Sequence, residues 1–516
     1  MKKDPLILTF DLGTQSTRAL LCDKKGTIVA IKQIKLPPYI SLHDEWFEQD
    51  PDLFVDNMFT ACRYLSEKYP DLFENIIAVT LTCFHDSMVN LDVNNKPLRP
   101  CIMWSDLRTA KLETLPLTAK QNFLFSIVGM KDCTVELLKQ SKSHWLIENE
   151  PEIWAKTEKY VLLSTYLIYK LCGQLTDSSS AQVGHISYDY KNNRWDKPGA
   201  LKYGIFGIKE SQCCHNLKDP GEVLGYISKD CAKATGLKEG LPIIATGADK
   251  SCETLGTIGL DKSLASISCG TAASVQIITD YYLEPELFLP CYRASIPNHW
   301  TPEVQLFRGF WMLSWFVKEF AHEETQEALK RGCPTEQILN EHLKDTLPGA
   351  NGLVLQPFWA PALKIPEARG SVIGFNSSHN KYHLYRAMIE GIGYGLRAGL
   401  NQIARKQTIK ELVVSGGGSN SDEICQILCD IFNLPIKKIQ TSEACGLGSS
   451  IVGFVAMKEY ASYEEACQNM IHYTKRFEPN PDNARLYDKL FKNVYRPMYK
   501  HMRPLFKYLR FNKKTN

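Results

Sequence analysis

Residues that can hold phosphate oxygens or a hydrated metal ion lie between two apolar runs near the start of the chain. Within residues 6–21, Asp11 closes the first run, and Gly13, Thr14 and Ser16 follow before the second run. Gly13 allows close approach of the backbone, and the turn amides and neighbouring hydroxyls can bind phosphate oxygens. Asp11 can orient a hydrated Mg²⁺ on the same phosphates. The pattern predicts a strand, a tight turn and a returning strand, and a hairpin without any ligand is the alternative.

A similar pattern recurs halfway along the chain. Residues 264–278 contain a small apolar run, Gly270 and Thr271, and a second run typical of a strand. Two candidate phosphate hairpins indicate a duplicated chain with a nucleotide between its halves. In residues 411–431 a strand, the glycine turn Gly416–Gly418 and an amphipathic helix follow one another, and the turn leaves room for a flat ring and a ribose. Neither the Walker A nor the Rossmann glycine pattern is present.

An apolar strand also leads into Gly-x-Asp at residues 247–249, before a helix start made of small residues. Phosphoryl transfer to a hydroxyl needs a positioned nucleotide and metal ion, a carboxylate that takes the proton, and exclusion of water. Asp249 has the chemistry and context for that carboxylate. Alternatively Asp249 is a helix N-cap, and both roles are compatible because a helix N-terminus keeps the carboxylate ionised. The ammonium of Lys250 either lies close and lowers the pKa of Asp249, or points away.

The composition restricts the classes of partner and compartment. A chain of 516 residues exceeds one typical domain, so two domains with their own cores are expected. Lys and Arg (60) nearly balance Asp and Glu (57), and a net charge of +3 gives no reason to expect nucleic acid or a membrane surface as partner. No segment is typical of a signal peptide or a spanning helix. The seventeen cysteines contain no Cys-x-x-Cys pair and predict free thiols in a reducing cytoplasm.

Three longer segments carry the motifs of a known family. Residues 46–51 form a helix start in which Asp50 is predicted to cap the helix and Pro51 to take its first position. Residues 96–109 contain Pro-x-x-x-x-Ile-x-Trp-x-Asp-x-Arg-Thr, and residues 370–391 contain a signature that precedes a long helix. Together with the three glycine elements, these segments make nearly the whole chain resemble the FGGY family of carbohydrate kinases.

The resemblance implies an α/β fold with two RNase H-like domains that flank an ATP cleft. We expect an N-terminal domain over residues 1–260 and a C-terminal domain over 261–516, with the boundary at Ile258–Ser263. ATP and Mg²⁺ are the implied cofactors, Asp249 is the implied catalytic base, and Asp11 and Asp249 are the implied metal ligands. The implied nucleotide-binding residues are Asp11, Gly13, Thr14, Gln15, Ser16, Arg18, Gly270, Thr271, Gly417, Gly418 and Ser421.

The resemblance places the acceptor site on the first domain, at His85, Asp86, Trp104, Asp106 and Asp249. At the first two positions xylulose kinases carry Met-His and glycerol kinases carry Arg-Glu. His85-Asp86 differs from both but keeps groups that can bind vicinal hydroxyls. Trp104 is alternatively a core residue, because tryptophan is highly buried on average. The family usually has Gln or Asn where this chain has Lys250.

The implied function is ATP-dependent transfer of the γ-phosphate to a small sugar or polyol, first of all a ketopentose such as xylulose. A kinase of glycerol or another short polyol is one alternative. A non-catalytic actin-like nucleotide switch is the other, and Asp249 with residues 104–108 argues against it because a switch needs no acceptor site. We also consider a homodimer, although the sequence is silent on assembly.

Overall fold

The computed structural model describes residues 4–43, 45–286, 289–359 and 365–511. We call the chain up to Ile258 the first half. Its strands are β1 Leu6–Leu12, β2 Ser16–Cys22, β3 Ile28–Lys35, β4 Glu48–Gln49, β5 Ile76–Cys83, β6 Met88–Leu91, β7 Cys101–Ile102, β8 Lys159–Leu162, β9 Asp177–Ser178, β10 Tyr188–Asp189, β11 Arg194–Trp195, β12 Leu217–Lys218, β13 Val223–Tyr226 and β14 Pro242–Ile244. Its helices are α1 Pro51–Lys68, α2 Pro70–Phe73, α3 Ala119–Ile127, α4 Lys131–Gln140, α5 Lys142–Asn149, α6 Pro151–Lys156, α7 Leu163–Cys172, α8 Lys229–Thr235 and α9 Asp249–Ile258.

The second half begins at Leu264. Its strands are β15 Leu264–Cys269, β16 Ala273–Gln276, β17 Tyr292–Arg293, β18 Trp300–Thr301, β19 Glu303–Leu306, β20 Val354–Gln356, β21 Ser371–Ile373, β22 Glu411–Ser415, β23 Ile436–Ile439 and β24 Tyr473–Phe477. Its helices are α10 Trp311–Phe320, α11 His322–Arg331, α12 Thr335–Glu341, α13 Lys381–Ile403, α14 Asp422–Phe432, α15 Ala444–Ala456, α16 Tyr463–Met470, α17 Pro481–Leu490 and α18 Arg496–Phe511.

Each half is built around a six-stranded mixed sheet of the same topology. The first sheet has the order β13-β14-β5-β1-β2-β3, and the second has β24-β23-β22-β15-β16-β19. β1 pairs antiparallel with β2 and parallel with β5, and β15 pairs in the same two ways with β16 and β22. The predicted hairpins and the predicted α/β architecture of two similar domains are therefore confirmed.

The sheets are buried because apolar runs cover both of their faces. All seven residues of β1 and all six of β15 are buried, as is typical of strands with a parallel neighbour in the middle of a sheet. Separate apolar cores lie around the first and the second sheet. The carboxyl ends of β1 and β15 therefore have rigid support, which fixes the two hairpin turns in place.

Two helices cross between the halves. α9, from the first half, contacts β15 and β22, whereas α15, from the second half, contacts β1 and β5. They pack closely at Gly256 and Gly448, since a Cβ on Gly256 would overlap the carbonyl of Ala444 and one on Gly448 that of Cys252. A third apolar core contains residues of both halves around this crossing. The helix that carries Asp249 is thus held by both sheets.

The local signals for two other helices are confirmed. The Asp50 carboxylate accepts a hydrogen bond from the backbone N–H of Asp52 at 2.9 Å, and Pro51 is the first residue of α1. The helix expected after the glycine turn is α14, and its apolar face is buried at Ile424, Ile427, Leu428 and Ile431. The apolar residues of both helices recur at helical spacing, so each helix has one apolar face that packs toward its sheet.

Two compositional expectations can be compared with the structure. All seventeen cysteines are free thiols, as predicted, and most are buried. No helix in the described part of the chain is long and apolar enough to cross a membrane.

Candidate active site

Five strand ends meet between the two halves and carry nearly all of the predicted site residues. The ends of β1, β5 and β14 lead to Asp11, His85 and Asp249, and the ends of β15 and β22 lead to Gly270 and Gly416. In open α/β sheets, ligands bind in the crevice beyond the carboxyl ends of the strands. The topology therefore places one cleft between the two halves.

The first hairpin carries a buried acid and a partly exposed base. Arg18 Nη1 lies 3.2 Å from Asp11 Oδ2, and Arg18 Nε lies 3.3 Å from Glu443 Oε2. Burial raises the pKa of Asp11 to about 7, and the Glu443 and Asp249 carboxylates add to that rise while Arg18 opposes it. The positive charge near Asp11, at the floor of the cleft, is therefore too small to keep the pKa of this carboxyl at its usual value.

The two hairpin turns meet across the cleft. Gln15 Nε2 donates to Thr271 Oγ1 at 3.4 Å, although the two residues are 256 positions apart. The Thr14 carbonyl accepts from Tyr39 at 2.7 Å, which fixes the first turn. The Ser16 hydroxyl is buried and accepts from Gln33 Nε2 at 2.8 Å, so it already has a partner within its own sheet. Gln15 and Thr271, both exposed, are the turn residues best placed to meet a phosphate.

The glycine turn after β22 is open at one position only. A Cβ at Gly418 would contact the ring of Phe310, and one at Gly416, where φ is +80°, would contact Gly270. A Cβ at Gly417 would meet no described atom within 4 Å. Gly417 therefore borders open space, whereas Gly416 and Gly418 let the turn pack against the second hairpin. Ser421 is the N-cap of α14 and accepts from the Ile424 N–H at 3.2 Å.

Asp249 is the first residue of α9, and Ala248 is the N-cap, which corrects the interpretation of Asp249 as the cap itself. Asp249 Oδ1 accepts from the Lys250 N–H at 2.8 Å and lies 3.6 Å from His85 Nδ1. Burial works to raise the pKa of Asp249, but the His85 ring and the Lys250 charge outweigh it and lower that pKa. The same contact raises the pKa of His85 against the effect of burial. Asp249 is therefore held ionised beside a polarised imidazole.

The Lys250 side chain points away from Asp249. Its Nζ donates to Glu253 Oε2 at 2.7 Å and to Ser268 Oγ at 2.8 Å, and Ser268 belongs to β15 of the second half. Glu253 Oε1 in turn accepts from Ser415, at the end of β22, at 2.6 Å. Lys250 thus ties α9 to β15, and Glu253 ties α9 to β22.

The predicted acceptor residues occupy two different environments. The two Asp86 oxygens accept from the backbone and the ring of His185, at 2.8 and 2.7 Å. Burial acts to raise the pKa of Asp86, but the pair with His185 lowers it. The Trp104 ring lies 6.4 Å from the His85 ring, and its indole Nε1 is buried without a described partner. Trp104 also packs on the first core, so it is both a core residue and a wall beside His85.

Asp106 is not brought to the cleft, which corrects its expected role as a hydroxyl acceptor. Its side chain has no exposed area, and it accepts from the Phe47 N–H at 2.6 Å and from Arg108 Nη2 at 2.8 Å. Lys142 Nζ lies 3.5 Å from its other oxygen. Because both oxygens are already used, Asp106 fixes the loop that carries Trp104.

Sequence reasoning missed the residues that the second half places in the cavity near His85. A small cavity lies beside Asp249, with His85 and Lys250 on one side and Tyr292, Arg293 and Glu303 on the other. Its free volume is about 10 Å³, close to the room that one water molecule needs. Burial raises the pKa of Glu303. No local pattern marks Tyr292, Arg293 or Glu303, which reach the cavity only through the pairing of short strands.

Comparison with known families agrees with this geometry. Residues 6–256 match the FGGY family of carbohydrate kinases, N-terminal domain, and residues 265–457 match the FGGY family of carbohydrate kinases, C-terminal domain. A xylulose kinase of Lactococcus lactis subsp. lactis (strain IL1403) is 26% identical over 511 residues, 96% of each protein. A gluconokinase of Bacillus licheniformis is 26% identical over 494 residues, 94% of each protein.

The fold of solved kinases is the same. The ligand-bound xylulose kinase from Lactobacillus acidophilus superimposes with a TM-score of 0.81 at 21% identity, covering 98% of this chain and 100% of that one. At that identity the likeness supports the fold alone. The two family matches cover most of the sequence and both sides of the cleft. This chain therefore belongs to the FGGY family of carbohydrate kinases, phosphotransferases that use ATP with Mg²⁺ as phosphoryl donor and an alcohol group as acceptor.

Proposed function

We propose that the acceptor is a small sugar or polyol bound between His85, Trp104 and Asp249, and that a ketopentose such as xylulose is the first candidate. The observation that carries the proposal is the contact of 3.6 Å between His85 and the Asp249 carboxylate at the cavity. The full-length relatives named xylulose kinase support the ketopentose. They are 26–27% identical, so the acceptor itself needs a direct test.

Asp249 is the proposed general base. Its lowered pKa keeps it ionised at neutral pH, so it can accept the proton of the acceptor hydroxyl. A carboxylate of low pKa is a weak base toward a free alcohol. The proton therefore moves as the bond from oxygen to phosphorus forms, when the hydroxyl becomes acidic. The Lys250 N–H and His85 hold the carboxylate in one orientation during this step.

The two hairpins are the proposed phosphate clamp. Thr14, Gln15 and Arg18 would bind phosphate oxygens from the first half, and Gly270 and Thr271 from the second. The contact between Gln15 and Thr271 brings the two turns within reach of one ligand. Gly417 and Gly418, with Ser421 at the start of α14, would border the adenosine.

Asp11 and Asp249 fit a magnesium site. The Asp249 carboxylate contributes to the raised pKa of Asp11, which persists despite the pairing of Asp11 with Arg18, so a divalent cation would balance the charge. In the described residues no three Asp, Glu, His or Cys side chains form a ligand cluster. This suits Mg²⁺, which keeps several waters and uses one or two carboxylates with the phosphates. When bound, the ion would neutralise charge that develops on the phosphates.

Exclusion of water is the proposed role of the interface between the halves. A free volume of about 10 Å³ is too small for a sugar, so the acceptor can enter only after the halves move apart. Their return would remove water from the reacting groups and so limit ATP hydrolysis.

The alternative acceptors, the cellular location, the domain boundary and the assembly are also proposals. We retain a kinase of glycerol or another short polyol as the alternative acceptor class, and an actin-like switch as the alternative without chemistry. The free thiols support a reducing cytoplasm as the location. The domain boundary at residues 258–263 and a homodimer are likewise proposed.

A panel of acceptors tests the proposed function. ADP production with Mg-ATP is measured against xylulose, ribulose, pentitols, erythritol and glycerol, with no acceptor as the control. We expect xylulose to raise kcat/KM above every shorter polyol. A higher value for glycerol would replace the ketopentose by a short polyol, and ATP binding without turnover of any acceptor would favour the switch.

A further inference from the structure

Arg293 is a buried cation that forms no ion pair with an acid in the described part of the chain. It lies on β17 in the wall of the cavity beside Asp249, and the residue is 4% exposed. Its guanidinium lies over the Trp300 ring, with Cζ 4.8 Å from the ring centre. Its Nε is buried without a hydrogen-bond partner, and no acid within the described ranges forms an ion pair with it.

The one acid that influences Arg293 electrostatically among the described residues has other partners. Asp219 is the carboxylate that acts on Arg293 at longer range. Its Oδ1 already accepts from Ser179 and from Asn193, both at 2.6 Å. Burial of Arg293 lowers the pKa of the guanidinium, and Asp219 only partly offsets this. A buried charge without an ionic partner is unfavourable, and an anion bound in the cavity would supply that partner.

Two further buried donors share the same cavity. Ser180 Oγ and Thr301 Oγ1 both line it and lack a described partner, and these residues are 1% and 3% exposed. Ser180 belongs to the first half, whereas Thr301 and Arg293 belong to paired strands of the second half. The two halves thus both contribute polar groups to the lining of the cavity. One cation and two hydroxyls together form a site for a small anion.

We propose that Arg293, with Ser180 and Thr301, binds a carboxylate at the end of the acceptor remote from Asp249, so that a polyhydroxy acid, rather than the neutral ketopentose, is the preferred small-sugar acceptor. The inference rests on the proposed function in one respect, the binding of the acceptor beside Asp249. A neutral ketopentose that bound there after the halves had moved apart would leave the guanidinium unpaired.

The charges in the cavity wall favour a single negative charge at one end. Glu303 also lines the cavity, but the charges that act on it are those of Lys250, His85 and Asp249, and Arg293 is not among them. Arg293 is influenced by Asp219 and Tyr188 instead. The cavity therefore has an anion-binding end at Arg293 and an acidic end near Asp249. One guanidinium suits a carboxylate, whereas a phosphate dianion commonly needs more cationic donors.

The test compares acids with neutral analogues of the same length. ADP production by the full chain is measured with xylonate and gluconate against xylitol and sorbitol, with xylulose and a sugar phosphate as further arms. A hydrogen bond to a charged group contributes roughly 1.5–3 kcal/mol, so we expect kcat/KM for the acids to exceed that of the alditols about 10- to 100-fold. In Arg293→Gln the ratio should fall to near one, and Arg293→Lys should retain part of it.

The variant Arg194→Gln is the matched control, because Arg194 is an exposed arginine on β11 and its loss should leave the ratio unchanged. A preference for neutral acceptors, or an equal loss of all activities in Arg293→Gln, would overturn the carboxylate site while leaving the kinase intact. A preference for the sugar phosphate would overturn it as well.

Binding without turnover separates this inference from the proposed function. If no acceptor is phosphorylated, the proposed function fails, and the site is then tested by thermal shift with gluconate and sorbitol. A rise in melting temperature with gluconate alone, lost in a folded Arg293→Gln or Arg293→Lys variant, would support the site. No difference between gluconate and sorbitol would refute it.

Discussion

The two halves share one sheet topology, but they carry different charges at equivalent positions. Asp11 and Ser268 each lie two residues before the glycine of their hairpin, at the ends of β1 and β15. Asp11 faces Arg18 and has its pKa raised to about 7 by burial, whereas Ser268 accepts a hydrogen bond from Lys250. At this equivalent position, the first half therefore carries an acid and the second half carries a neutral hydroxyl.

The helices that follow the equivalent strands β14 and β23 show the same contrast. α9 begins with Asp249, whose carboxylate lies beside His85. α15 is preceded by Glu443, which pairs with Arg18 and supports the first hairpin. The two halves thus have similar sheets, and a few residues that differ at the strand ends give them different chemical properties. Function has to be argued from these residues, because the frame is the same in both halves.

The largest expected effect distinguishes the two helix starts. Asp249→Asn should lower kcat by about 10²- to 10⁴-fold, the usual contribution of a general base, and leave ATP binding unchanged. Glu443→Gln, the equivalent change before α15, should cost less than about tenfold because its ion pair is partly exposed. Coupled ADP production and ATP titration measure both. Similar losses of kcat in the two variants would contradict a catalytic role that belongs to Asp249 and not to Glu443.

The next effect concerns stability at the two hairpins. Burial raises the folded-state pKa of Asp11 from 3.8 to about 7. The folded protein therefore holds a proton that the unfolded chain loses, and ionised Asp11 progressively reduces stability between pH 4 and pH 7. Without Mg²⁺, Asp11→Asn should be more stable than the native chain above pH 7, by roughly 4 kcal/mol for a shift of about three units. Activity should fall sharply in the same variant.

Denaturation by urea at pH 4 and pH 8 tests this expectation. The difference between Asp11→Asn and the native chain should be small near pH 4 and complete above pH 7. Ser268→Ala, the change at the equivalent serine, should show no such pH dependence. An Asp11→Asn variant that is less stable at pH 8 would contradict the raised pKa.

The smallest effect concerns the connection between the halves. Lys250→Met removes the bonds from Lys250 to Glu253 and Ser268 and leaves the Glu253 carboxylate, 6% exposed, with one partner fewer. We expect a loss of about 2 kcal/mol, below the value for a fully buried pair because Lys250 is partly exposed. Adding Glu253→Gln should restore part of it. Lys262→Met, which breaks an exposed pair with Asp280, is the control and should cost under about 1 kcal/mol.

The sequence by itself determined the local elements and the residue types of the nucleotide side. Apolar runs broken by Asp, Gly and Thr predicted both hairpins, and Asp50 with Pro51 predicted the start of α1. These signals are short-range, because turn geometry and helix caps depend on residues a few positions apart. The same holds for Gly-x-Asp before α9, where only the capping position differed by one residue.

Only the tertiary structure decided which side chains share a cavity. Asp106 belongs to a family motif, yet its oxygens accept hydrogen bonds from Phe47 and Arg108. The second half also brings Arg293 and Glu303, more than 200 positions away in the sequence, into the same cavity as His85. It also decided the direction of Lys250, which Ser268 draws toward β15. Burial and distant charges set these outcomes, and both depend on how the halves pack, which no local pattern records.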